Sequence, residues 1–294
     1  MGRGWVCGVL ITVARSDVAA VLAICAALCI AVGDVMQQRS TKTVDEQKSG
    51  HLELFIALLK SPQWWLGSII AAGGFAFQAA ALDFGSVILV EALMATSLLF
   101  ALPLNAWVAG TRIARSQWAW AVALAVSVAI IVTIGNPTEG LSRASSHTWT
   151  WVAVVMSPIL VALVLAARRA SPQKSAVLLA VVSGSLWGLF AVLTKGVVDR
   201  LGDGLWAVLM TPELYAWAVV ALLATMLEQS SFRAGSLAAS LPGAAVSEPL
   251  VGSLLGVVVL GETVRPGDSG WALLIAAVVT MVLATVRLAG ISGR

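Results

Sequence analysis

The feature that most constrains this chain is a succession of apolar blocks, each about as long as a bilayer is thick. A helix needs about 20 apolar residues to cross the hydrocarbon core. Uninterrupted blocks of this length do not suit the alternating strands of a membrane barrel. We therefore predict an all-α integral membrane protein with nine transmembrane helices. The blocks are residues 18–37, 63–82, 86–109, 117–135, 149–167, 175–197, 212–232, 236–260 and 270–288.

Composition excludes the soluble alternatives. Of 294 residues, 59% are hydrophobic and 11% are charged, whereas roughly a quarter of the residues of a soluble domain are charged. The connectors are too short for a separate enzyme domain, and no phosphate-binding loop for ATP hydrolysis is present. We expect no enzymatic activity, since an intramembrane enzyme would have to be built from scattered carboxylates. The net charge of +3 comes from basic residues in short loops. The positive-inside rule explains them, and no nucleic-acid partner is expected.

The basic residues also predict the orientation. With nine crossings, twelve of the 18 Lys and Arg residues fall on one side of the membrane and six on the other. The richer side is expected to be cytoplasmic, which places the N-terminus outside and the C-terminus inside. Residues 54–59 could form a degenerate tenth crossing, which would move only the N-terminus. The larger set is Arg39, Lys42, Lys48, Lys60, Arg112, Arg115, Arg168, Arg169, Lys174, Arg233, Arg287 and Arg294; the smaller set is Arg3, Arg15, Arg143, Lys195, Arg200 and Arg265.

The chain resembles itself after a shift of about 150 residues. Each copy is expected to begin a helix with Ser61 or Thr211 as the cap and a proline at the first helical position. Five crossings separate the partners, so the two halves have opposite orientation in a 4+1+4 arrangement of inverted repeats, which many secondary transporters share. The shift places 57–63 on 207–213, Gln78 on Glu228, and the Gly-Ser pair at 85–86 on that at 235–236.

This arrangement divides the chain into five segments. They are an N-terminal extension (1–16), a first membrane repeat (17–135), a connecting span with its loops (136–174), a second, inverted repeat (175–290) and a C-terminal tail (291–294). The polar stretch at 39–53 is expected to be a loop. Two Gly-x-x-x-Gly pairs, at 184–188 and 252–256, are expected to let helix backbones approach closely.

Several motifs carry a resemblance to a known family. Ser247-Glu248-Pro249, then Leu260-Gly261-Glu262, then Gly270 at the start of the last helix resemble the closing signature of the drug/metabolite transporter (EamA-like) superfamily. Residues 33–39 (GDVMQQR) and 81–108 are more similar to its NIPA-type magnesium-transporter branch. The resemblance extends over about residues 18–288 and implies a solute carrier. In the first half Gly110-Thr111 stands at the Gly-Glu position, so that copy has lost its acidic residue.

A carboxylate inside a bilayer is a candidate functional group, because burying its charge there costs about 2.5–3.5 kcal/mol. Glu248 lies twelve residues after Ser236, close to the middle of its span, and Pro249 frees a backbone carbonyl beside it. We predict Glu248 as the principal cation- or proton-binding group, and as the metal ligand if the cargo is a metal ion. A structural hydrogen bond to a neighbouring helix is the alternative.

Four further residues complete the predicted ion-binding or substrate-binding set. Glu91 is expected nearer the outside, and Glu228 nearer the cytoplasm, with Gln78 at the symmetry-related place in the other half. Asp34 is expected at the cytoplasmic edge of the first span, and its repeat neighbour Lys195 is read as an interface anchor. Snorkelling of these side chains to the membrane surface is the competing explanation.

These observations predict a secondary transporter of the drug/metabolite type that works by alternating access in a bacterial plasma (inner) membrane. Its cargo is a small solute or a cation, with Mg²⁺ as the leading single candidate and no resident cofactor. A metabolite, a drug or a lipid-linked sugar exported against protons remains open. A non-transporting scaffold or assembly component of an envelope-synthesis complex is the alternative. The oligomeric state is open between a monomer and a homodimer.

Overall fold

Helices account for every regular element that the structure describes. The computed structural model describes residues 2–45, 61–110, 112–234, 237–267 and 270–292, and within them the predicted all-α class is confirmed. The helices are α1 Gly2–Asp45, α2 Pro62–Phe84, α3 Val87–Met94, α4 Ser97–Ala109, α5 Arg115–Thr133, α6 Ser146–Arg169, α7 Pro172–Leu201, α8 Leu205–Leu209, α9 Pro212–Ala234, α10 Leu237–Leu260 and α11 Gly270–Ser292.

Eight segments of the described chain are long and apolar enough to cross a membrane, so the protein is a multi-span integral membrane protein. The one remaining predicted span, 212–232, corresponds to α9, which is as long as α2 but carries Glu213 and Glu228 and is not among the eight. The proposed tenth crossing at 54–59 lies outside the described residues. The eight are Arg15–Met36, Pro62–Phe84, Val87–Val108, Arg115–Thr133, Ser146–Arg169, Pro172–Leu201, Pro242–Leu260 and Gly270–Leu288.

Helix α1 is longer than the span that it contains. It begins at Gly2 and continues to Asp45, so residues 39–45 are helical and the expected loop is wrong for this part. No proline occurs before residue 62 and no glycine lies between residues 34 and 49. The polar composition at 39–45 therefore includes no residue that would end the helix.

The two predicted helix caps behave differently. The Ser61 hydroxyl accepts a hydrogen bond from the Trp64 amide at 3.3 Å, with Pro62 at the first helical position, as predicted. The Thr211 hydroxyl instead donates to Glu213 at 2.6 Å. The second copy therefore keeps the proline start but uses its threonine to hold an acidic side chain.

The span at 87–108 is locally distorted between α3 and α4. Helix α3 ends at Met94 and α4 begins at Ser97, but Ala95 and Thr96 between them keep right-handed helical dihedral angles. Both the amide and the hydroxyl of Thr96 donate to the Leu93 carbonyl, at 3.0 and 2.5 Å. A threonine hydroxyl that takes a backbone carbonyl competes with the helix hydrogen-bond pattern, and here it accompanies one tightened turn in a span that continues to Val108.

Helices α7 and α10 pack most closely where glycines face one another, as the Gly-x-x-x-Gly pairs predict. A Cβ at Gly188 would lie 2.6 Å from both the Glu248 carbonyl oxygen and the Gly252 nitrogen. A Cβ at Gly184 would meet the α10 backbone at Ala244 in the same way. These contacts bring α10, and with it Glu248, against the middle of α7.

We expect Gly188→Ala to lower the free energy of unfolding by about 1–3 kcal/mol, because the added methyl must push two backbones apart. Gly73 is the matched control, since a Cβ there meets nothing within 4 Å, and alanine favours a helix by roughly 0.5–1 kcal/mol. Unfolding of both variants in mixed micelles measures the difference. Equal effects at the two positions would contradict the close packing.

Candidate functional site

The polar residues predicted inside the membrane come from five helices. Asp34 lies on α1, Gln78 on α2, Glu91 on α3, Glu228 on α9 and Glu248 on α10. Glu248 interacts electrostatically with Glu228 and Asp34, and Glu91 interacts with Glu248. The fold therefore brings the four carboxylates into one connected series, the carboxylate row, in the order Glu91, Glu248, then Glu228 and Asp34.

Glu91 is the most enclosed member of the carboxylate row. Its side chain is fully buried, and neither carboxylate oxygen accepts a hydrogen bond of standard geometry. Gln78, itself buried, interacts with it from α2. Gly252 of α10 gives it space, because a Cβ there would lie 2.9 Å from Glu91 Cγ. A buried carboxylate with so few donors is stable only if it takes up a proton or a cation.

Glu228 and Gln78 occupy different surroundings despite their related places in the repeat. Glu228 accepts a hydrogen bond from the Trp187 indole at 3.2 Å. Trp187 in turn stacks on Phe75 at 5.4 Å between ring centroids. Aromatic side chains from α2 and α7 therefore form an apolar wall beside this carboxylate, which the sequence analysis did not identify.

Accessibility increases along the carboxylate row. Glu91 is fully buried, Glu248 and Glu228 are half-buried, and Asp34 is exposed. Asp34 nevertheless interacts with Glu228, so it belongs to the row and is more than a terminal group of its helix. Asp34 is therefore the most exposed member of the row, and Glu91 is the most enclosed.

A second charged centre closes the Glu91 end. Glu262 is fully buried and accepts hydrogen bonds from the amides of Val87 and Ile88 at 2.7 and 3.0 Å. Lys195 lies 3.6 Å from the Glu262 carboxylate and donates to the Gly85 carbonyl at 2.6 Å. These residues form the Lys195–Glu262 clasp, which joins the start of α3 to α7 and to the loop after α10.

The electrostatics of the clasp follow from its position at the start of α3. Burial is the largest effect and keeps the pKa of Glu262 raised, while Lys195 and the Val87 and Ile88 amides offset only part of it. The free amides of a helix N-terminus and a neighbouring ammonium group both favour the ionised carboxylate.

Sequence reasoning missed the clasp. Lys195 was expected to anchor the helix at the membrane surface, but it is buried and paired with Glu262. Its place near the end of an apolar block made it look interfacial. In the sequence, Glu262 is marked only by the Leu260-Gly261-Glu262 motif. No local pattern indicates that it accepts a hydrogen bond from the Val87 amide, 175 residues away.

The loop that carries Glu262 is held by the connection between α5 and α6. The Thr138 amide donates to the Thr263 carbonyl at 2.8 Å, and the Leu141 amide donates to the Leu260 carbonyl at 2.6 Å. A Cβ at Gly140 would collide with the backbone at 260–262. The two loops are therefore fitted closely together on the same face as the clasp.

The carboxylate row is extended rather than gathered around one point. Within the part of the chain that the structure describes, no three His, Cys, Asp or Glu side chains lie close enough together to hold a metal ion. A divalent cation would therefore meet one or two protein carboxylates at a time. Mg²⁺ commonly binds in this manner, because it dehydrates reluctantly and keeps several water ligands.

We expect Glu262→Ala to lower the free energy of unfolding by about 3–5 kcal/mol, because it leaves Lys195 buried without its counter-charge. Two amides of α3 also lose their acceptor. Removing both charges in the double variant Lys195→Met, Glu262→Met should cost less than the sum of the two single changes. Unfolding in micelles measures all three, with the exposed Glu139→Ala as control. A Glu262→Ala protein as stable as the control would contradict the clasp.

Comparison with known proteins finds a relative that matches nearly the whole chain. No family model matches the sequence, and no solved structure matches it. The chain is 33% identical over 276 residues to an uncharacterized protein of Corynebacterium glutamicum, and the alignment covers 93% of this chain and 96% of that protein. Its name states no activity. The identity over nearly the full length of both proteins shows that the chain belongs to the same family as this Corynebacterium glutamicum protein.

Proposed function

We propose that the protein is a secondary transporter of the drug/metabolite type, which moves a small solute or a cation by alternating access. The observation that carries the proposal is the carboxylate row, and within it the fully buried Glu91, whose oxygens accept no hydrogen bond of standard geometry. Ionisable groups at this depth are costly and usually mark an ion or substrate pathway. A proton or a cation that binds and leaves would account for their presence.

The proposed architecture is nine spans in two inverted repeats, with α6 as the connecting span. The helix packing supports it: α1 packs along α2 as α7 packs along α9, and α1 packs on α3 and α4 as α7 packs on α10.

In the proposed orientation the C-terminus is cytoplasmic and the Lys195–Glu262 clasp faces the outside of a bacterial plasma membrane. The clasp and the paired loops would then close the outer side, and the exposed Asp34 would face the cytoplasmic access route. The structure would represent an inward-accessible state. The motif that supplies Glu262 in the second half reads Gly110-Thr111 in the first, so the corresponding cytoplasmic closure would lack this carboxylate.

Within this mechanism we assign Glu248 the central role. It interacts with Glu91 on the closed side and with Glu228 and Asp34 on the accessible side. An ion that passes along the carboxylate row would meet it in either state. Mg²⁺ is the leading single candidate for the cargo, a choice that rests on the resemblance to the NIPA-type branch. Single carboxylates along the row are compatible with a cation that retains much of its hydration.

The test is Mg²⁺ uptake into proteoliposomes by the intact protein and by Glu248→Gln, at two pH values. We expect uptake by the intact protein and a loss of at least about tenfold in the variant, the effect of removing roughly 1.4 kcal/mol of interaction with the ion. Glu139→Gln is the matched control, because Glu139 is an exposed carboxylate outside the helices. It should transport at the rate of the intact protein.

Two other outcomes would change the proposal. A protein that moves protons but not Mg²⁺, with the proton flux lost in Glu248→Gln, would remain a transporter with a different coupled ion. If Glu248→Gln transports Mg²⁺ like the intact protein, the carboxylate row is not the pathway. Absence of both fluxes, together with stable co-purification of other membrane proteins, would favour the scaffold.

A further inference from the structure

An open groove lies beside the peripheral helix α6, and no member of the carboxylate row lines it. It runs between α6, α7 and α9 and has a volume of about 1020 Å³. Its walls are mainly valine and leucine side chains. Helix α6 is the most peripheral of the candidate spans, with 6% of its apolar window buried inside the protein. We call this feature the α6–α9 groove.

The α6–α9 groove follows the depth of the bilayer. Its α9 wall extends from Pro212 to Leu227, a helix length of about 22 Å at 1.5 Å per residue. The hydrocarbon core is about 30 Å thick. An apolar groove of this length that opens toward lipid matches acyl chains lying roughly along the membrane normal.

The two ends of the groove differ in charge. At one end, Arg143 donates to Glu213 at 2.6 Å, so its charge is neutralised within the protein. At the other end, Arg168 lines the groove and is exposed, with the exposed Arg169 and Lys174 beside it in the chain. None of these three cations belongs to an ion pair recorded among the described residues. An anionic group would therefore be attracted to the Arg168 end alone.

We propose that the α6–α9 groove binds an anionic phospholipid from the leaflet on the Arg168 side. The acyl chains lie against the apolar walls, and the phosphate lies beside Arg168, with Arg169 and Lys174 adding positive potential. Basic sites at the membrane surface between helices are suited to anionic headgroups. The bound lipid fills the space between the peripheral α6 and the rest of the bundle. This proposal does not depend on transport activity.

The experiment places the full-length protein in nanodiscs of equimolar phosphatidylglycerol and phosphatidylcholine. Native mass spectrometry then counts each lipid that remains bound after transfer to mild detergent. We expect a preference for phosphatidylglycerol that falls about fivefold in Arg168→Gln, the effect of one basic residue at an anionic surface. Arg115→Gln, an exposed arginine at the start of α5 that does not line the groove, should keep the preference.

A second variant tests the groove itself and does not rely on charge. Val161 lines the groove and is 55% exposed, so Val161→Trp can fill it without disturbing a packed core. We expect fewer retained molecules of both lipids. Val126→Trp is the control, because Val126 is 52% exposed on α5 and does not line the groove.

The results separate the possible occupants. If Arg168→Gln keeps the full preference for phosphatidylglycerol, the headgroup assignment is wrong. If Arg168→Gln loses the preference but Val161→Trp retains as much lipid as its control, the lipid binds to a charged surface patch and not in the groove. If Val161→Trp instead dissociates a dimer seen with the intact protein, a second copy of the chain occupies the groove, and the proposal is overturned.

Discussion

The cost of keeping ionised groups away from water governs this structure. In a bilayer a carboxylate must find a counter-charge, several hydrogen-bond donors, a proton or a cation. Two neighbouring buried carboxylates, Glu262 and Glu91, differ in how far the protein meets this need. Glu262 has Lys195 and two helix amides, and it is satisfied by the protein alone. Glu91 has a favourable interaction with Gln78 but faces the like charges of Glu248 and Glu262, and it accepts no hydrogen bond of standard geometry.

Small residues make this arrangement possible by allowing the helices that carry the charges to come together. Gly188 lets the backbone of α10 lie against α7, and Gly252 leaves room for the Glu91 side chain. Gly256 does the same for Glu262, since a Cβ there would lie 2.8 Å from its carboxylate oxygen. The same stretch of α10 therefore accommodates both the satisfied carboxylate and the unsatisfied one, and a change in how α10 packs would affect both.

The sequence predicted the individual helices better than the hydrogen bonds and contacts that shape and connect them. Block length and apolar composition were sufficient for the helices, because crossing a bilayer sets a minimum length. Ser61 was a correct cap because its partner is three residues away. The tightened turn at Thr96 involves a side-chain hydroxyl that donates to the Leu93 carbonyl, and hydropathy does not register this competition with the helix. Polar composition alone does not distinguish a solvated helix from a loop, so the sequence does not predict the helical continuation at 39–45.

The same distinction applies to the site. Burial cost alone singled out Glu248, Glu91, Glu228 and Asp34, and the structure connects them electrostatically. Lys195 was wrongly assigned to the membrane surface. Its partners, the Glu262 carboxylate and the Gly85 carbonyl, lie in loops far from it in the sequence. Contacts between distant parts of the chain have no local pattern. The stacking of Trp187 on Phe75 could not be predicted for this reason.

The clasp has a consequence for the order in which the protein can be completed. The amides at the start of α3 wait for an acceptor that lies 175 residues further along the chain. Chains are synthesised from the N-terminus at about 5–20 residues per second, so the first half enters the membrane many seconds before Glu262 exists. During that interval Ser86 caps α3 through the Leu89 amide, but the Val87 and Ile88 amides have no carboxylate to bind, and α7, when it arrives, brings Lys195 without its counter-charge. The nascent protein is thus an unfinished assembly until α10 and the loop after it are made, and a chain that stops before them carries its own mark of incompleteness.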